Sequence, residues 1–369
     1  MRSQIPPILG RALLLGALAI GACKRESIPG RDEAATFRGV VVTPPFDKPD
    51  FTFTDHEGQP YNFRLKTAGK VALLFFGYTH CPDVCPLHAA NIAAVMKQMS
   101  FEERAKIQFV FITTDPERDT PARLKEWLGA FDPSFVGLTA SAAEVTRLGA
   151  SLGIAPPRKE LPDGSKDSLN YLVGHGAQVI AFGLDNQGRL EYPFGIRQED
   201  WAKDLPRLAR GEVPRAPDAA ASAAPADMNL APATSGVPAG PPMQVQVALM
   251  AAPATTTEAS VYLVVRNNAA ADTLVGVWSP EAKGAMIHQT EARGGTMTMV
   301  MTERVAVPAG GTLEFLPGGT HVMLTGLTRK PAAGESFPLR LRFAKAGEYI
   351  IAPMVVAYAD LEAQLKAAR

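Results

Sequence analysis

Two cysteines lie four positions apart in the stretch FFGYTHCPDVCPLH, residues 75–88. The apolar run VALLFFG leading into this stretch predicts a buried strand, and PLHAANIAAVMKQM after Cys85 has helical spacing. A helix N-terminus favours thiolates, and the spacing of Cys81 and Cys85 is expected to put both sulfurs on one helix face. The pair could form a structural disulfide, act as a redox pair or bind a soft metal ion, and the spacing leaves these uses open.

An imidazole near the two thiols would extend the site from Cu(I) to Cu(II). Four histidines are candidates for this third ligand: His56, His80, His88 and His175. The last follows a short apolar run in YLVGHG, so it is expected in a glycine-flanked loop at a strand end. Because strand-end loops gather at one edge of an α/β sheet, that loop can reach the thiols.

A second group of soft side chains lies far along the chain, where no cysteine is present. Met286 and His288 are two apart, as are His321 and Met323, and TMTMVMT carries methionine at every second position from Met297 to Met301. Side chains two apart in a strand share a face, so three strands each present ligands on one side. Methionine fills many apolar cores, but polar residues between these methionines favour a ligand set suited to Cu(I).

Around these residues the chain is organised as two domains. Strands alternate with helices over residues 35–211, which predicts an α/β fold with the cysteines after the first core strand, as in thioredoxin. Residues 212–243 are rich in proline, alanine and glycine, so they cannot bury a core and are expected to be a linker. Beyond them, short β-prone runs separated by turn residues predict an all-β sandwich or barrel over residues 244–361.

The third cysteine is at the end of an apolar N-terminal run. Arg2 and Arg11 precede residues 12–20, which are too few to span a bilayer but suit a signal peptide. The ending LAIGAC resembles a bacterial lipobox, which implies that residues 1–23 are a signal peptide and that Cys23 is lipidated. An ordinary signal peptide or an uncleaved anchor are the alternatives. All three place the protein on the periplasmic side, where disulfides form. The zero net charge of the chain gives no indication of a nucleic-acid partner.

The motifs FFGYTHCPDVCP, TTDPERDTP and YLVGHG, in this order, resemble the Sco/SenC family of copper proteins. The resemblance implies a thioredoxin-like fold with one copper ion bound by Cys81, Cys85 and His175, the two cysteines also forming a redox disulfide. The family often has aspartate just before this histidine, whereas this chain has Gly174. That difference bears on affinity or partner choice. Asp115 in TTDPERDT is interpreted as a turn or capping carboxylate and not as a catalytic group.

The later ligand spacing and the stretch PAGGTLEFLPGGTHVMLTGL are similar to the PCu(A)C family of periplasmic copper chaperones. This resemblance implies a cupredoxin-like β-sandwich in which His288, Met299, His321 and Met323 bind copper. Met286, Met297 and Met301 are then secondary or transient ligands.

Together the two resemblances imply a lipid-anchored fusion of two copper chaperones. Both families supply copper to the dinuclear copper site of cytochrome c oxidase, so the copper-bearing oxidase subunit is the expected partner, with a thioredoxin-like reductant for the thiols. The rival functions are a thiol–disulfide reductase, a thiol peroxidase and a copper-storage or resistance protein. The methionine-rich domain favours copper delivery over enzymatic activity, because electron transfer between thiols needs no thioether ligands.

Overall fold

The computed structural model describes residues 36–161, 171–214, 241–255, 257–293 and 295–367. Cys23, the rest of the expected signal peptide and most of the expected linker lie outside the described residues. None of the helices in the described ranges is long and apolar enough to cross a membrane. From Phe37 onward the described residues form one compact unit.

Residues 37–214, called here the α/β region, are built around one mixed sheet. Its strands are β1 (Val40–Asp47), β2 (Thr52–Asp55), β3 (Pro60–Asn62), β4 (Val71–Gly77), β5 (Ile107–Thr113), β6 (Val136–Thr139), β9 (Val179–Phe182) and β10 (Gln187–Tyr192), with β7 (Arg158–Glu160) and β8 (Leu172–Gly174) forming a separate pair. The eight strands have the order β1-β10-β9-β4-β5-β6-β2-β3. Every residue of β4 and β5 is buried, as predicted for central strands covered on both faces.

Helices connect these strands and give the α/β region the thioredoxin-like arrangement expected from the sequence. They are α1 (Phe63–Lys66), α2 (Val84–Gln98), α3 (Phe101–Ala105), α4 (Pro121–Gly129), α5 (Ala142–Ser151) and α6 (Gln198–Ala209). The start of α4 is as predicted, because Thr120 caps it by accepting a hydrogen bond from the amide of Arg123, with proline following the cap.

The start of α2 corrects the expectation that both cysteines lie on one helix face. The helix begins at Val84, so Cys85 is in its first turn. Cys81 precedes the helix and lies in a turn in which its backbone amide donates a hydrogen bond to the Tyr78 carbonyl (3.2 Å). Pro86 explains this boundary. It has no N–H to donate to the carbonyl of Pro82 four residues back, so a regular helix cannot extend to Cys81.

Residues 241–367, called here the β region, form two mostly antiparallel sheets and one terminal helix. The elements are β11 (Met243–Ala251), β12 (Glu258–Asn267), β13 (Asp272–Trp278), β14 (Ala282–Arg293), β15 (Thr296–Met301), β16 (Val305–Val307), β17 (Thr312–Phe315), β18 (Thr320–Leu327), β19 (Leu339–Phe343), β20 (Gly347–Ile351), β21 (Met354–Val356) and α7 (Tyr358–Ala367).

One sheet of the β region has the order β15-β14-β18-β12-β11-β21, with β17 also paired to β12, and the other has the order β16-β13-β19-β20. Their apolar residues form a single buried cluster that includes Val261 and Val322 from the first sheet and Leu274 and Leu341 from the second. The region is therefore a sandwich with its core between two sheets.

The α/β and β regions pack against each other. Ala90 of α2 belongs to a buried cluster with Tyr262 of β12, Val356 of β21 and Leu361 of α7. Asn91 adds a hydrogen bond from its side-chain amide to the carboxylate of Glu362 (2.9 Å). Helix α2, which begins at the cysteine motif, is therefore covered by the β region.

Candidate metal centre

The structure brings together the two motif cysteines and one distant histidine. The ligand atoms of Cys81, Cys85 and His175 all lie within 4.8 Å of one another. His175 directly follows β8, and its Nε2 is 3.4 Å from the Cys85 sulfur. The amide of Cys85 donates to the Cys81 sulfur across 3.4 Å. All three side chains are buried, so the cluster is a preformed thiol–imidazole site.

The protonation of this cluster suits the binding of a cation. His175 Nδ1 lies 2.9 Å from the Gly176 carbonyl and is assigned as the donor to it, which turns Nε2 toward the thiols. Burial opposes ionisation of Cys81, but hydrogen bonds from Cys85 and His175 outweigh it and hold the Cys81 pKa well below its usual value. Burial and the neighbouring Cys81 sulfur raise the pKa of Cys85 well above its usual value. One proton is therefore retained by the pair, and a bound cation would displace it.

The other three candidate histidines have different roles. His88 Nε2 donates to the carbonyl of Ala177 (3.1 Å), which holds the loop that carries His175. Burial lowers the His88 pKa to about 4, so it stays a neutral donor. Nδ1 of His80 lies 3.5 Å from Oδ1 of Asp119. Nδ1 of His56 accepts a hydrogen bond from the backbone amide of Gly137 (2.9 Å).

The acidic residues near His80 stabilise loops. Asp115, interpreted from the sequence as a turn or capping carboxylate, accepts a hydrogen bond from the Tyr171 hydroxyl (2.6 Å) and pairs with Arg118 (2.5 Å). Asp119 accepts the backbone amide and the hydroxyl of Thr79. The carboxylates of Asp115 and Asp119 lie close enough to the His80 imidazole to resemble a metal site. Their oxygens, however, accept hydrogen bonds from protein donors.

The histidines and methionines of the β region lie on three neighbouring strands. In β14 and β18, His288 is directly opposite His321 and Met286 is opposite Met323. In β14 and β15, Met301 is opposite His288. Residues directly opposite in a sheet share a face. The sheet therefore collects on one face side chains that the sequence separates.

The burial of this face distinguishes its members. His288, Met299, His321 and Met323 are at most 9% exposed, whereas Met301 is 36% exposed. The two imidazole rings meet edge to face with centroids 6.0 Å apart. Within the described residues, His288 Nδ1 and His321 Nε2 are buried nitrogens with no hydrogen-bond partner. Burial also lowers the His288 pKa to about 3, so this imidazole is neutral and its free nitrogen fits a metal ion.

One buried residue of this site was missed by the sequence analysis. Asp83, between the cysteines, is fully buried and makes no side-chain cap on its own helix. Its carboxylate instead accepts hydrogen bonds from the β region, and burial raises the pKa of Asp83. An acidic residue between two prolines is visible in the sequence. Its hydrogen-bond partners are 179 to 235 residues away, however, and could not be inferred from it.

The fold and the thiol–imidazole cluster define a thioredoxin-like protein with a second, mostly β region. The family model SCO1/SenC matches residues 44–210, and the model described as "Putative lipoprotein LpqE-like" matches residues 243–355. A "Putative copper-binding protein" of Stutzerimonas stutzeri is 30% identical over 55% of this chain and 97% of that protein. "SCO2-like protein" of Rickettsia conorii is 34% identical over 44% of this chain and 75% of that protein. The chain belongs to the SCO1/SenC family.

Two solved structures resemble separate parts of the chain. Copper-bound ScoI of Bradyrhizobium japonicum is 34% identical, with a TM-score of 0.39, and covers 44% of this chain and 99% of its own. The copper-bound PCuAC domain from PmoF2 is 26% identical, with a TM-score of 0.28, and covers 31% of this chain and 93% of its own.

Proposed function

We propose that the chain is an extracytoplasmic copper chaperone, anchored to the membrane through Cys23, that delivers copper for the dinuclear site of cytochrome c oxidase. The observation that carries this proposal is the convergence of Cys81, Cys85 and His175 within 4.8 Å. The proposed division is a signal peptide (1–23), a Sco/SenC domain (35–211), a linker (212–243) and a PCu(A)C-like domain (244–361).

At the first site copper is the cargo of the thiol–imidazole cluster. Two thiolates suit Cu(I), and the imidazole of His175 adds a ligand suited to Cu(II). The name of the Stutzerimonas stutzeri relative, a "Putative copper-binding protein", supports this choice of ion.

The second site uses His288, Met299, His321 and Met323 in a cupredoxin-like sandwich. Thioethers are soft, neutral ligands, which favours Cu(I). They form no disulfides, so this site keeps its ligands in a compartment that oxidises thiols. The two unpaired imidazole nitrogens described above support the histidines as ligands.

Delivery requires an acceptor and a source of electrons. The proposed acceptor is the copper-bearing subunit of the oxidase, on the periplasmic side of a bacterial membrane. A disulfide between Cys81 and Cys85 removes both thiolates, so a thioredoxin-like reductant must restore them before copper binds again.

A thiol–disulfide reductase that acts on the cysteines of the oxidase copper site is the second candidate. The low pKa of Cys81 beside a thiol that retains its proton favours it, because a nucleophilic thiolate and a resolving thiol are what disulfide exchange requires.

Copper stoichiometry of the full chain tests the proposal. We expect two copper ions per reduced chain, and one after oxidation of the thiols or in the Cys81→Ser/Cys85→Ser variant. Unchanged stoichiometry in that variant would contradict copper binding by the thiols. Rapid disulfide exchange by a reduced wild-type chain that binds no copper at its cysteines would favour the reductase.

A further inference from the structure

We propose that the surface around the cysteine motif is a docking site for the ligand-bearing face of the β region of the same chain, and that Asp83 anchors it. The docked state lets copper pass between the two ligand sets and excludes other proteins from both. This inference rests on the proposed function for the identity of the cargo, whereas the docking itself does not depend on copper.

The anchor is the carboxylate of Asp83. One oxygen accepts a hydrogen bond from the hydroxyl of Tyr262 (2.9 Å). The other accepts hydrogen bonds from the hydroxyl of Thr290 (3.1 Å) and from the backbone amide of Gly318 (3.0 Å). The same oxygen is 3.7 Å from Nδ1 of His321. These donors come from β12, from β14, and from the turn that leads into β18. A single carboxylate therefore fixes the strands that carry both candidate histidines.

The residue before Asp83 supplies a second polar contact. Pro86 leaves the carbonyl of Pro82 without a helical partner, as described for the start of α2. That carbonyl accepts the hydroxyl of Ser260 (2.6 Å) and the hydroxyl of Tyr358 (3.2 Å), both from the β region. The cysteine motif thus presents two adjacent acceptors, and the β region satisfies both.

The loop of the third ligand forms the opposite side of the docking site. His175 and Met297 pair through their backbones, with N–O distances of 3.3 Å and 2.9 Å. Gly174 makes this approach possible. A Cβ there would lie 2.8 Å from the Glu160 carboxylate and 3.1 Å from Thr298. The glycine that stands where the family often has aspartate therefore leaves room for the threonines of β15, Thr296 and Thr298, against this loop.

Docking places members of both ligand sets in one buried cluster. Met299 and Met323 pack in the same apolar core as Cys81 and Cys85. All seven proposed ligands are at most 9% exposed. Copper could therefore move between thiolates and thioethers without entering water, but an acceptor protein could reach neither set until the regions separate.

Alkylation of the thiols by iodoacetamide, in the reduced, copper-free full chain, tests the docking directly. The variants are Asp83→Asn, which removes acceptor capacity at the anchor, and Gly174→Asp, which places a side chain in the contact with β15. We expect alkylation of Cys81 and Cys85 to be about tenfold faster in Asp83→Asn, since losing a hydrogen bond to a charged group shifts an equilibrium by about this factor. In Gly174→Asp we expect alkylation faster than in the wild type, because the added side chain crowds β15. The two substitutions change the local charge in opposite directions, so an electrostatic effect on thiol reactivity would not accelerate both.

Gly129→Asp is the matched control, because a Cβ at Gly129 meets no atom within 4 Å. It should alkylate at the wild-type rate. Wild-type rates in both test variants would overturn the docking proposal. Copper stoichiometry, measured separately, distinguishes the two proposals. If alkylation is accelerated in the variants but the wild-type chain binds no copper, the docking proposal stands and the chaperone function is refuted.

Discussion

At the scale of single residues, the site depends on groups whose roles come from their surroundings. His88 and His175 are both buried imidazoles near the cysteine motif, yet Nε2 of His88 donates to a backbone carbonyl, whereas Nε2 of His175 faces the Cys85 thiol. Asp83 is a helix N-cap by position but accepts its hydrogen bonds from another region of the chain. Residue type alone does not separate these roles.

We predict that His175→Ala weakens Cu(II) binding at the thiol site more than Cu(I) binding. Two thiolates can hold Cu(I) alone, whereas the harder ion depends more on imidazole. The Cu(II) affinity should fall by more than about 100-fold, because loss of an outer-shell partner alone costs about 10–100-fold. Competition titrations with chelators for each oxidation state measure this. His56→Ala, remote from the thiols, is the control, and equal losses for both ions would argue against His175 as a ligand.

At the scale of elements, strand order turns a dispersed sequence pattern into a site. The order β15-β14-β18 makes β18 a neighbour of the consecutive strands β14 and β15, although β16 and β17 come between them in the chain. The register then sets His288 against His321 and Met286 against Met323. A shift by one residue would turn the ligands to the opposite face of the sheet.

The register leads to a prediction for the methionines. Met299→Leu/Met323→Leu should abolish Cu(I) binding in the β region while leaving copper at the thiols, because leucine keeps the packing volume but has no thioether. Met243→Leu/Met250→Leu changes two methionines buried in the sandwich core and is the control. Retention of Cu(I) affinity in the first double variant would mean that those methionines only fill the core.

A buried lysine links β1 to the segment before β4. Lys48 Nζ donates to the carbonyls of Thr67 (3.0 Å) and Lys70 (3.4 Å), and burial with the charge of Arg64 lowers its pKa from 10.5 to about 8. Between these values the unfolded chain binds more protons than the folded chain, so stability rises with pH.

We therefore predict that the free energy of unfolding gains about 3 kcal/mol from Lys48 as pH rises from 8 to 10.5, at 1.36 kcal/mol per pH unit. Denaturant unfolding of Lys48→Met across this range should lack that gain. Lys125→Met, at an exposed lysine, should keep the wild-type slope. Parallel curves for wild type and Lys48→Met would show that the amine is not perturbed.

At the scale of the whole molecule, two sites that the sequence assigns to separate domains lie against each other. The cysteine motif contacts the β region through Pro82 and Asp83, and the His175 loop contacts it through Met297. Because the contacts surround both ligand sets, the packing controls access to copper as well as the shape of the chain.

The proposed membrane anchor also concerns the whole chain. Cys23→Ala should leave the membrane fraction or accumulate unprocessed, because the lipidated cysteine would be lost. Cell fractionation with mass spectrometry of the mature N-terminus measures this, and Cys81→Ala, which keeps Cys23, should remain membrane-bound. Wild-type mature protein recovered without lipid would contradict the anchor.

The sequence by itself determined the central elements and the kinds of ligand. Apolar runs, prolines and caps gave the central strands and the start of α4, because these depend on neighbours within a few residues. The paired cysteines and alternating methionines indicated soft-metal chemistry for the same reason. The motif similarity selected His175, which a single spacing could not do.

Only the tertiary structure decided how the two regions meet. Asp83 accepts hydrogen bonds from partners 179 to 235 residues away, and a side chain at Gly174 would crowd β15. Hydrogen-bond donors such as Tyr262 and Thr290 occur throughout the chain, and nothing in their local sequence states which acceptor they will reach. Long-range pairing is set by the packing of whole sheets and helices, so it could be found only once those elements were in place.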